Sequence, residues 1–154
     1  RVALAATAAA AAVALLAGVT VVRLNNRLDD VKQQVALASG IRDQALAAAS
    51  DPARREIRLA SAQGQPAATG VLLPDGRLYL FDDHLQPLPG DRTYQLWGVF
   101  PDKRVVSLGL LGHDPDVALF RGDPNLVALA ITEERAGGVV SSTNQPTASG
   151  PVTT

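Results

Sequence analysis

Residues 93–111, TYQLWGVFPDKRVVSLGLL, decide the fold class. Thr93 to Phe100 is rich in aromatic and β-branched side chains and carries no charge. That composition suits a strand. Pro101-Asp102-Lys103 follows with turn chemistry, because Pro presets φ and Asp hydrogen-bonds its own backbone. Arg104 to Leu111 then returns as a second strand, so the stretch reads as an antiparallel hairpin. Within it Leu96 points to one face and Trp97, the sole tryptophan, to the other. Either the sheet is covered on both faces there, or Trp97 sits at an edge or a partner site.

Working outward, the same period-two pattern recurs with turns between. Ile57–Ala60 and Thr69–Leu73 are short strands, and Pro74-Asp75-Gly76 is a tight turn. Leu78, Leu80 and Asp82 alternate with Tyr79 and Phe81. Residues 82–89 form a loop. Val117–Phe120 and Leu126–Thr132 follow, and 137–154, rich in Gly, Ser, Thr and Pro, reads as loop or edge strand. About seven short strands over 51–154 predict a mostly β domain, a β-sandwich. Leu96, Leu108, Leu110, Val127, Leu129 and Ile131 are expected to point inward.

Before the β region the pattern changes twice. Val2 to Val22 holds no charge, Pro or amide. Its helical length of about 31 Å matches the hydrocarbon core of a bilayer. Its Val and Leu residues favour insertion by about 2 to 5 kcal/mol. Residues 1–22 are therefore expected to be a transmembrane helix in contact with lipid. Residues 23–50 read as a helical juxtamembrane stalk that ends at Asp51-Pro52, since the residue before Pro avoids helical geometry. Leu24, Leu28, Val31, Val35, Ala38, Ala45 and Ala49 form a heptad-like seam interrupted by Arg42. A homodimer through residues 24–49 is one reading of that seam. A helix lying on the β domain or on the membrane surface is the other. No Met occurs, so Arg1 reads as the start of a fragment with a segment missing before it.

Composition and spacing argue against several functions. A net charge of -1 gives no electrostatic footprint for nucleic acid. The absence of Cys removes thiolate metal sites and Cys nucleophiles. His84 and His113 lack the i+4 partner of a helical zinc site. Glu133 and Glu134, adjacent on a strand, point to opposite faces and cannot share a bond between them. No nucleophile elbow or phosphate loop occurs. The chain is expected not to be an enzyme, with no catalytic residue, cofactor or metal.

Tyr94-Gln95-Leu96-Trp97, then Ser107-Leu108-Gly109, then Ala128 to Thr132 with Glu134, then Ala136-Gly137-Gly138, then Pro146-Thr147, resembles the extracytoplasmic domain of the anti-sigma-K factor family. The likeness covers residues 51 to 151. It departs where Glu134-Arg135 stands in place of Glu-Pro, and where 139–145 is longer. The family-motif residues in this chain are Tyr94, Gln95, Leu96, Trp97, Gly109, Thr132, Glu134, Gly137, Gly138, Pro146 and Thr147. The resemblance implies a single-pass protein of the bacterial cell membrane with its C-terminal domain extracytoplasmic. It implies that a cytoplasmic segment before Arg1 holds an extracytoplasmic-function sigma factor. It further implies release of that factor by a site-1 protease and then an intramembrane protease. Arg23, Arg27 and Lys32, all after the span, point the other way by the positive-inside rule, so the orientation comes from the resemblance. The alternative is a membrane-anchored envelope binding module without a sigma partner, in which Trp97, Tyr94 and Tyr79 would form a ligand-contacting patch.

Overall fold

The structure is a computed structural model that describes Lys32, Ala36, residues 39–82 and residues 84–153, with Asp82 described in its backbone only. Two units are present, Arg1–Gly40 and Ile41–Thr154. In the first, Lys32, Ala36, Ser39 and Gly40 are helical, and Ser39 Oγ donates to the Ala36 carbonyl at 3.0 Å. The predicted span and most of the stalk, with the seam up to Ala38 apart from Lys32 and Ala36, lie outside the described residues. Among the described residues no helix is long and apolar enough to cross a membrane.

The second unit holds one helix, α1, over 41–49, and eight strands. These are β1 (Arg55–Ala60), β2 (Pro66–Leu72), β3 (Arg77–Asp82), β4 (Arg92–Val99), β5 (Val105–Gly112), β6 (Val117–Arg121), β7 (Ala128–Arg135) and β8 (Ala148–Pro151). The mostly β expectation holds, with eight strands rather than seven. All eight are hydrogen-bonded in one antiparallel sheet, ordered β5-β4-β7-β8-β1-β2-β3-β6. The sheet curls on itself until its end strands approach, with the Phe120 ring of β6 against Gly109 of β5.

Strict alternation builds the interior. Ile57 and Leu59 of β1, Leu78 and Leu80 of β3, Leu96 of β4, and Leu129 and Ile131 of β7 share one buried cluster. The turns between strands use one device repeatedly. A carboxylate oxygen accepts from the backbone N–H two residues on, in Asp75 to Arg77 (3.0 Å), Asp102 to Arg104 (3.1 Å) and Asp123 to Asn125 (2.8 Å). Those N–H groups, first among several causes, hold the carboxyls of Asp75 and Asp102 below the ordinary aspartate value.

Two expected core residues are not in the core. Leu110 is 43% exposed and Val127 41%. On β5 the register slips between Leu96, which faces Gly109, and Trp97, which faces Ser107. The extra residue resets the alternation, so Leu110 stands opposite Gln95 on the outer face. Val127 precedes the first ladder pair of β7, and the turn over 123–126 sends Leu126 inward instead.

The outer face is covered in two places. Over β2 and β3, α1 lays Ala45 and Ala48 on Val71, Leu73 and Tyr79. Arg42 forks onto both oxygens of Asp116 at 2.7 Å, and the Tyr79 hydroxyl donates to Gln44 Oε1 at 3.3 Å. Ala45 and Ala49, the C-terminal end of the heptad-like seam, thus face this unit's own sheet. Over β4 and β7 the cover is the segment 137–147.

Candidate functional site

On β4 and β7 the outward side chains come in facing pairs. Thr93 stands opposite Glu134, Gln95 opposite Thr132, and Trp97 opposite Ala130. All but Ala130 are buried, although they point away from the core. They are buried because the chain after β7 turns back over them. Gly137 and Gly138, at φ 94 and 73, make that turn in the left-handed region. A Cβ on Gly138 would stand 2.6 Å from Leu110 Cδ2 and 2.8 Å from Gln95 Oε1. Only glycine can thread there.

The returning segment is then tied down by side chains reading its backbone. Gln95 Oε1 accepts from the Val139 N–H at 2.9 Å, and its amide donates to the Val139 carbonyl at 2.9 Å and to Ser107 Oγ at 2.7 Å. Trp97 Nε1 donates to Thr132 Oγ1 at 2.8 Å. Glu134, buried and with no ion pair among the described residues, accepts from the Ser142 hydroxyl and, at 3.0 Å, from the Asn144 amide. That amide also donates to the Glu133 carbonyl at 2.8 Å. Past Pro146, the Thr147 N–H donates to the Ile131 carbonyl at 2.8 Å and leads into β8. What remains open is a crevice of about 390 Å³, lined among others by Trp97, Val99, Val105, Val140 and Pro146.

The structure therefore brings together eight of the residues singled out from sequence: Gln95, Trp97, Thr132, Glu134, Gly137, Gly138, Pro146 and Thr147. Three lie elsewhere. Leu96 is in the core, Tyr94 points inward with its hydroxyl on the Gln86 carbonyl at 2.9 Å, and Gly109 packs on Phe120. The aromatic patch of the alternative reading does not form. Tyr94 and Trp97 point to opposite faces, Tyr79 lies under α1, and all three are buried. Ser107, Ser142 and Asn144 were not foreseen. Their one sequence signal is the run of short hydrogen-bonding side chains at 141–144, which a loop uses to cap carboxylates and turns. Among the described residues no three His, Cys, Asp or Glu side chains gather as for a metal.

The arrangement is a brace rather than a reaction centre. Gln95→Leu removes three hydrogen bonds and strands the Val139 N–H and carbonyl, an expected loss of about 2 to 3 kcal/mol. Urea unfolding followed by Trp97 fluorescence checks it, with a red-shifted native emission expected as the cover lifts.

A family model described as Anti-sigma-K factor rskA, C-terminal, matches residues 4–152. No curated protein and no solved structure matches the chain.

Proposed function

The chain belongs to the anti-sigma-K factor family, matched through its C-terminal region, and on that premise we propose that it is the membrane anchor and extracytoplasmic domain of an anti-sigma factor. In this reading it restrains an extracytoplasmic-function sigma factor through a cytoplasmic segment before Arg1, and it is not an enzyme. The match reaches back to residue 4, inside the apolar run 2–22, which supports counting that run as part of the same protein design.

The sheet unit acts as a shield. One observation carries this: α1, the described end of the stalk, is docked on the sheet through alanines, a surface ion pair and a side-chain hydrogen bond. Such a contact is weak enough to open and specific enough to be gated. Undocking exposes the stalk to a site-1 protease, an intramembrane protease follows, and the sigma factor is freed. The continuous sheet, which folds over a single core, stays intact while α1 leaves.

Deleting residues 55–154 from the full-length protein is expected to make stalk cleavage and sigma-dependent transcription constitutive. Immunoblotting of the stalk with a promoter reporter measures both. If both stay at the level of the intact protein, shielding by the sheet is wrong.

A further inference from the structure

We propose that strand β5 is a self-association edge at which two copies of this chain pair antiparallel. β5 ends the sheet order, with β4 on one side and no strand hydrogen-bonded on the other among the described residues. Its eight residues, VVSLGLLG, carry neither charge nor Pro. Edge strands normally carry such residues to prevent pairing. Residues 101–107 are all exposed, Val105 at 54%. Val140, 99% exposed, lines the same crevice as Val105 and extends the apolar surface.

Charge complementarity selects a second copy as the occupant. Lys103 precedes β5 and Asp114 follows it; both are exposed, and neither makes an ion pair among the described residues. Their neighbours are engaged, Arg104 with Asp102 and the Phe100 ring, and Asp116 with Arg42. The bulge fixes which register keeps outward side chains together. Ser107 and Leu110 both face outward, opposite Trp97 and Gln95. Setting Ser107 of one copy against Leu110 of the other brings each Lys103 to the other copy's Asp114. One two-fold operation thus satisfies the backbone edge, the apolar faces and both charges.

Sedimentation equilibrium of the whole 154-residue chain in detergent tests it. A dimer is expected. Lys103→Asp, an acid tolerated at the positive φ of 65 there, weakens it about tenfold, since two attractions become two repulsions. Asp114→Lys alone does the same, and the double reversal restores the parent affinity to within about twofold. These variants are on the surface, so unchanged urea midpoints accompany them. A chain monomeric at every concentration overturns the proposal. So does a dimer indifferent to Lys103→Asp, which would place the contact in the stalk. A monomer whose Val105–Ser107 amides gain exchange protection only with an added extended apolar peptide would assign the edge to another partner and equally overturn it.

Discussion

Gly150→Ala is expected to cost about 3 to 5 kcal/mol, enough to unfold much of the sheet unit at ambient temperature. Gly150 lies in β8, where the sheet turns from its β7 side to its β1 side. β8 pairs with β7 at four positions and with β1 at one, Ala60 with Ser149. A Cβ at position 150 would stand 1.9 Å from the Arg58 carbonyl oxygen and 2.8 Å from the Arg58 carbonyl carbon. Both are backbone atoms, so no rotamer change relieves the overlap. β8 and β1 must separate, and the core between Leu129 and Ile57 opens with them. Urea denaturation read by far-ultraviolet circular dichroism measures the loss. Gly90→Ala is the control, because a Cβ there meets nothing within 4 Å. If the two variants had equal midpoints, the close crossing of β8 over β1 would be wrong.

Ala45→Glu is expected to release α1 while leaving the sheet folded. Ala45 is fully buried against the outer face of β2 and β3. The three alanines at this contact, Ala45, Ala48 and Ala49, supply about 2 kcal/mol at 0.8 kcal/mol per buried methyl. The exposed Arg42–Asp116 pair adds at most about 1 kcal/mol. A carboxylate forced under the helix has no cation to meet and costs more than the contact supplies. The undocked state then becomes dominant, and cleavage within 41–54 by a nonspecific protease should rise about tenfold or more. The urea midpoint of the sheet should hardly move, which separates undocking from unfolding. Arg42→Ala should move cleavage the same way by about threefold at most. Parent-like cleavage in Ala45→Glu would mean that α1 does not shield the stalk.

Most strands were legible because alternation survives in short windows. Ile57 and Leu59, Leu78 and Leu80, and Leu129 and Ile131 each announce a half-buried strand within four residues. The motif residues were legible as a set, but not their roles. Gln95 and Glu134 look like surface polar residues on a strand. They become buried only when 137–147 returns over them, and that return depends on contacts more than thirty residues apart, such as Gln95 with Val139. Leu110 and Val127 failed for a related reason. A bulge and a turn shift which side chain faces in, and neither leaves a mark in the hydrophobic pattern. β8 was read as loop or edge because Ala148-Ser149-Gly150-Pro151 has no strand propensity. It is held by its neighbours on both sides rather than by its own residues.

Sequence alone determined the mostly β class, the turn positions, the end of the helix before Pro52 and the residues that carry the family likeness, because each rests on interactions between near neighbours in the chain. The tertiary structure decided which side of the sheet is sealed by what: α1 over Tyr79, and the glycine-turned segment over Trp97. Those covers are set by distant contacts and close approaches, where the fit of one surface to another decides burial and no local pattern records it.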